Sequence, residues 1–316
     1  MERRVAIVTG GLRGLGRAMA LGLAREGHDV VAVGHIDADV AEIEAEAAGA
    51  NFPGHILPRV ADIRQPAECD HVVAIARERF GGLDILVNNA GLTFTTIDPA
   101  RFRRNEPQKF WQVSDDIVRA VIETNYIAAD QMARRVAPRM VEEGWGRIVN
   151  VTTKLDTMNR AHTSPYGASK AALEMATEVW AKEAEGTGLT INIVNPGAGA
   201  NTPGMAEEMR RMSREGRAPH LVEPEEMVPP LLYVVSRDAD AVNGWRFDAN
   251  LWDASLPPAE AARRAGRPPA SKCTRSRVEG SRDEVYAYYG RSAADGRGAL
   301  HQGASHPSRD HGRYGR

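Results

Sequence analysis

The aliphatic run Val5-Ala6-Ile7-Val8 passes directly into Thr9-Gly10-Gly11-Leu12-Arg13-Gly14-Leu15-Gly16. A strand that turns on several glycines and reopens as a helix commits the chain to parallel pairing, because the helix must carry it back before the next strand can join. Apolar spacing at Leu15, Ala18, Met19, Gly22 and Leu23 supplies that helix. Glycines allow the backbone to approach a pyrophosphate, and the helix N-terminus offers N–H donors with partial positive charge. Gly10, Arg13, Gly14, Leu15 and Gly16 are therefore candidate cofactor-binding positions, with Gly-x-x-x-Gly-x-Gly spacing.

Short β-branched runs continue to alternate with helical patterns as far as Asn250. Seven strands are predicted, centred on Val5–Val8, Val30–Val33, His55–Leu57, Leu83–Val87, Arg147–Val151, Thr190–Val194 and Trp245–Phe247. The fold class is α/β: a single doubly wound parallel seven-stranded sheet of Rossmann type, with ligands at the carboxyl ends of the strands. Residues 1–256 form the expected dinucleotide-binding and catalytic domain. Residues 257–316 hold 12 Arg or Lys against 6 Asp or Glu and few aliphatics, and are expected to be a disordered extension.

The 316-residue chain has no run of about 18 apolar residues, and its start, Met1-Glu2-Arg3-Arg4, leads into too short an apolar segment for a signal peptide. A cytoplasmic location with no membrane partner is expected. Cys69 and Cys273 lie in unlike segments and suggest neither a disulfide nor a metal site. No clustered His, Asp or Glu spacing points to a metal. The basic tail is a solvated extension on composition, and no nucleic-acid partner is expected.

Tyr166 and Lys170 stand four apart on a predicted helix and share one face. An ammonium beside the phenol is expected to lower its pKa and make it an acid/base near neutral pH. Asp62-Ile63, after the third strand, can set a carboxylate against the exocyclic amine of adenine. Asn88-Asn89-Ala90-Gly91, after the fourth, can tie neighbouring strands and line the cofactor ribose. Gly34 ends the second strand without the acidic side chain that would bind a ribose diol. Arg13 and His35 can instead pair with a 2′-phosphate, so NADP(H) is favoured over NAD(H), with Asp37 as the opposing feature.

Five motifs in this order resemble the short-chain dehydrogenase/reductase family over nearly all of residues 1–256: Thr9-Gly10-x-x-x-Gly14-x-Gly16, Asp62-Ile63, Asn88-Asn89-Ala90-Gly91, Tyr166-x-x-x-Lys170 and Asn195-Pro196-Gly197. The resemblance implies an Asn, Ser, Tyr, Lys tetrad. Its serine position, 13 before the tyrosine, is Thr153, which keeps the hydroxyl but adds a methyl. Asn125 matches the helix asparagine, Lys170 would also hold the nicotinamide ribose, and Pro196, Gly197 and Thr202 would contact the cofactor. The implied activity is hydride transfer between NADP(H) and a small-molecule carbonyl or secondary alcohol, with Tyr166 as general acid/base. A 3-oxoacyl thioester reductase and a silent NADP(H) sensor are the alternatives. A homo-oligomer, dimer or tetramer, is implied through helices near Thr124–Glu143 and Tyr166–Glu185. Met205, Met209 and Met212 are read as a lid or a packed helix face, and Met158 and His162 as pocket candidates.

Overall fold

The computed structural model describes residues 2–101 and 106–268. The first half runs β1 (Val5–Thr9), α1 (Gly14–Arg25), β2 (Asp29–Gly34), α2 (Ala38–Ala50), β3 (Ile56–Val60), α3 (Pro66–Phe80) and β4 (Ile85–Asn88). A short α4 (Phe94–Ile97) follows, then α5 (Asp115–Ile122), α6 (Ala128–Glu142), β5 (Gly146–Asn150), α7 (Leu155–Asn159), α8 (Tyr166–Glu183) and β6 (Leu189–Asn195). The chain closes with α9 (Glu207–Arg214), α10 (Val228–Val234), β7 (Arg246–Asp248), α11 (Pro258–Ala265) and β8 (Gly266–Arg267).

The strand order is β3-β2-β1-β4-β5-β6-β7-β8, parallel throughout except for the antiparallel β7–β8 pair. Every residue of β1, β5 and β6 is buried, as expected for strands covered on both faces. One apolar cluster packs α1 and α10 against one face through Met19, Leu23, Leu231 and Val234. The other packs α3 and α6 against the opposite face through Val72, Ala76, Met132 and Val136. Helix ends follow local chemistry: α3 starts on Pro66 and stops at Gly81, whose left-handed φ of 83° lets its N–H return to the Arg77 carbonyl.

Two expectations change. The sheet has an eighth strand, and the segment expected to be disordered from residue 257 begins with α11 and β8. Ala261, Ala262 and Ala265 are buried, and Arg267 reaches Asp248 at 2.6 Å, so small side chains and one ion pair suffice to dock a stretch poor in large aliphatics. The rest of that extension, from residue 269 and including Cys273, lies outside the described residues. Cys69 is buried, with its thiol directed at the Ile63 carbonyl. No described helix is long and apolar enough to cross a membrane.

The strand order reverses at β1, which pairs with β2 on one side and with β4 on the other, so the winding changes direction between β1 and β4. The crevice at their carboxyl ends is where ligands bind in sheets of this kind.

Candidate active site

Gly10 and Gly14 adopt φ of 62° and 56°, left-handed values that favour glycine. A side chain on Gly10 would meet the Asn89 amide at 2.8 Å, and one on Gly16 would strike the Gly10 carbonyl. Asn89 donates to the carbonyls of Thr9 at 2.9 Å and Gly10 at 3.2 Å, while the Thr9 hydroxyl accepts from the Asn89 and Ala90 N–H groups. The end of β4 thus clamps the glycine turn. Helix α1 opens after Arg13 with no side-chain cap, so its first N–H groups face the crevice as donors for an anion. Thr202 lies across Gly14, 3.4 Å from where a Cβ would stand. These features fit a pyrophosphate.

A cavity beside the turn is lined by Gly10, Gly34, His35, Asp62, Ile63 and Ala90. The Asp62 carboxylate is held by Arg64 at 2.8 and 2.6 Å, and this hydrogen bonding keeps its pKa below the ordinary carboxylate range. Gly34 is glycine because a side chain would meet Leu12 at 2.7 Å. Arg13 is half-exposed, and its nearest carboxylate partner is Asp39 at 3.6 Å, so the acid in contact with this cation is not Asp37.

Tyr166 opens α8, and the Thr153 side chain, three residues beyond β5, lies close enough to its phenol to act on its pKa. Lys170, one turn on, is buried and donates to the Val151 carbonyl at 2.8 Å. Here one expectation is corrected. Burial raises the Tyr166 pKa above its ordinary value and pushes Lys170 down to about 8, so loss of water outweighs any help the ammonium gives the phenolate. Thr153 acts on Tyr166 in the lowering direction. The phenol therefore keeps its proton across the neutral range, and the lysine loses its charge as pH rises through about 8.

Asn125 sits in a π-helical turn, Glu123–Ile127, between α5 and α6. Its amide donates to the Leu92 carbonyl at 3.1 Å and the Ser169 hydroxyl at 3.0 Å, and its oxygen accepts from the Leu92 N–H at 2.7 Å. Gly91 lies between it and Lys170, where a Cβ would stand 3.3 Å from the Asn125 oxygen and 3.4 Å from the Lys170 nitrogen. Tyr166, Lys170, Thr153, Asn125 and Gly91 are thus brought together. After β6, Gly197 has φ 70° and donates to Asn195 Oδ1 at 2.8 Å, and the Pro196 carbonyl accepts from the Asn250 N–H. The segment beyond is fastened at the Gly204 carbonyl, which accepts from both Thr93 and Thr95. Among the described residues no group of three or more His, Cys, Asp or Glu side chains could hold a metal.

Sequence reasoning missed a buried network behind Thr153. Arg246, on β7, donates to Glu174 at 2.7 Å, to Asp248 at 3.1 Å and to the Thr153 carbonyl at 3.1 Å. Glu174 also accepts from the Thr152 hydroxyl at 2.9 Å, and burial raises its pKa. Asn195 completes the set by donating to Asp248 at 2.7 Å. The available signal was Glu174, four residues beyond Lys170 on the same helix face.

The sequence pattern of the short chain dehydrogenase family matches residues 4–213. A 3-oxoacyl-acyl-carrier-protein reductase of Thermotoga maritima is 31% identical over 249 residues, covering 77% of this chain and 95% of that protein. D-beta-hydroxybutyrate dehydrogenase of Cupriavidus necator is 32% identical over 197 residues, 62% of this chain and 71% of that protein. Among solved structures, a variant actinorhodin polyketide ketoreductase with NADPH superimposes with a TM-score of 0.65 at 27% identity, over 77% of this chain and 94% of that one. A Beutenbergia cavernae protein assigned as an NAD(P)-dependent gluconate 5-dehydrogenase, with NADP at low occupancy, gives 0.66 at 29%, over 78% and 94%.

Proposed function

The chain belongs to the short-chain dehydrogenase family, and on that premise we propose that it is an NADP(H)-dependent reductase of small carbonyl compounds. The observation that carries this reading is the gathering of Tyr166, a buried Thr153 and a buried Lys170 held on the Val151 carbonyl. Such a cluster has no structural need for a titratable pair, and perturbed groups gather at reaction centres. A bound nicotinamide would supply the hydride. Thr153 would orient the carbonyl oxygen, and Tyr166 would donate its phenolic proton to the oxygen as negative charge develops there. Lys170, with Asn125 and Gly91 beside it, would hold the nicotinamide ribose, while Gly10, Leu15, Gly16, Thr202, Pro196 and Gly197 would seat the rest of the cofactor.

Two structures that resemble this chain contain NADPH or NADP, and the Arg13 guanidinium at the glycine turn, with His35 in the adjoining cavity, would be its partners for a 2′-phosphate. Arg13→Glu is expected to weaken NADPH binding at least about 10-fold, from the loss of one charge-assisted contact, with a smaller change for NADH. Titration of each cofactor by nicotinamide fluorescence checks it. Equal weakening of both would remove Arg13 from 2′-phosphate recognition.

The reaction itself is tested by NADPH oxidation over a panel of ketones, aldehydes and an acetoacetyl thioester. Turnover of the thioester alone would favour the activity named for the Thermotoga relative. Because Lys170 titrates near 8, kcat/KM for reduction is expected to be flat below that value and to fall as pH rises through it, a limb that a pH–rate profile reads directly. A profile flat to pH 10 would mean that the lysine charge does not contribute.

A homo-oligomer is supported by exposed apolar side chains at Val118, Ile127, Met175 and Val179 on the α5 to α6 and α8 elements.

A further inference from the structure

Arg101 carries its guanidinium carbon 4.7 Å from the centre of the Phe94 ring, and Phe94 lies 4.6 Å, centre to centre, from Tyr166. The cation is thus no further from the Tyr166 ring than those two steps combined. It is partly buried, and burial lowers its pKa. One donor, Nη1, is fixed on the His162 carbonyl at 2.5 Å. Among the described residues no carboxylate comes within ion-pair distance of Arg101. Asp98 contributes only a longer-range field, while Arg160 is close enough to oppose the charge. A guanidinium has five donors in a fork that matches a carboxylate, and a desolvated cation held beside another cation is costly unless an anion joins it.

The surroundings carry the same signature. A cavity of about 610 Å³ adjoins the His162 loop, lined by Lys109, Phe110, Trp111, Met158, Arg160 and His162 among others. Phe110 and Trp111 are each 69% exposed, edge to face at 5.0 Å, and so give an apolar wall next to basic side chains. His162 itself is held at φ 65°, unusual for a residue with a side chain, and its carbonyl is the one Arg101 grips.

We propose that Arg101 is a specificity-determining residue that pairs with a carboxylate on the substrate, so that the preferred carbonyl compounds are oxo acids with an apolar body. The inference rests on the reductase reading above and names its substrate class. The guanidinium rests on Phe94, which in turn packs on the Tyr166 ring, so the carboxylate would anchor the substrate at a set distance from the carbonyl that Tyr166 serves.

The test pairs 2-, 4- and 5-oxo acids with their methyl esters, titrated calorimetrically into the protein with and without NADPH and assayed separately for NADPH oxidation. At least one acid is expected to bind 10-fold or more tighter than its ester. In Arg101→Gln, which keeps a hydrogen-bond donor and removes the charge, that preference should fall below about threefold with ester affinity unchanged, and Arg101→Lys should retain part of it. No acid preference in any pair, a preference that survives Arg101→Gln, or equal weakening of acid and ester would each overturn the proposal. Acid-selective binding without NADPH oxidation would support Arg101 and count against the reductase, whereas oxidation with esters and acids alike would do the reverse.

Discussion

Tyr166→Phe is expected to lower kcat for carbonyl reduction about 1000-fold, within the usual contribution of a positioned proton donor, and to leave NADPH affinity within about threefold. The variant keeps the aromatic contact with Phe94 and deletes only the hydroxyl that meets Thr153. Lys170 still has its bond to the Val151 carbonyl, so the cofactor end of the site stays formed. Steady-state rates alongside a fluorescence titration of NADPH separate the two effects. A kcat within tenfold of the parent would transfer proton donation to Thr153 or to water.

The second large effect concerns stability. Arg246→Met would leave Glu174 and Asp248 with less compensation in a region where all three side chains are buried. Breaking a buried pair from one side costs about 3–5 kcal/mol, because the remaining charge is left desolvated. Arg267 still pairs with Asp248, so most of the loss falls on Glu174. Burial already holds the Glu174 carboxyl above its ordinary pKa, so without Arg246 the variant's stability is expected to decline as pH rises and that group must ionise. Urea unfolding at two pH values measures both the size and the sign. The double variant Arg246→Met with Glu174→Met should be less destabilised than Arg246→Met alone. If the single variant unfolds within 1 kcal/mol of the parent, on the scale set for buried pairs, the network is not holding the strand end.

Most of the fold was legible because its signals are local. Val5–Val8 running into the glycine turn, and aliphatic runs such as Thr190–Val194, state a parallel sheet through composition and period alone. The chemical cluster was legible for the same reason: Tyr166 and Lys170 share a helix face whatever surrounds them. What escaped depends on contacts distant in sequence. The eighth strand is two residues long and exists only because β7 offers it an edge. Arg246 and Glu174 are 72 positions apart, and a single arginine inside a predicted strand does not reveal which carboxylate will meet it. The protonation states were misjudged because spacing reports which groups are neighbours and burial decides how much water they keep. Thus Tyr166 was expected to be acidified and is instead held protonated.

The π turn at Glu123–Ile127 has a consequence for how this stretch can vary. The Ala128 N–H reaches back five residues to Glu123, so the turn spends one residue more than an α-helix would. Each residue advances a helix by about 100°. The two helical halves are therefore out of phase by roughly that angle, with Asn125 at the phase boundary. Removing one residue there would let α5 and α6 fuse into a single continuous rod, and the face that now carries Val118 would rotate against the face that buries Met132 and Val136. Insertions and deletions in this segment consequently act as a rotary setting, turning the outer surface and the Asn125 amide relative to each other in steps of one residue.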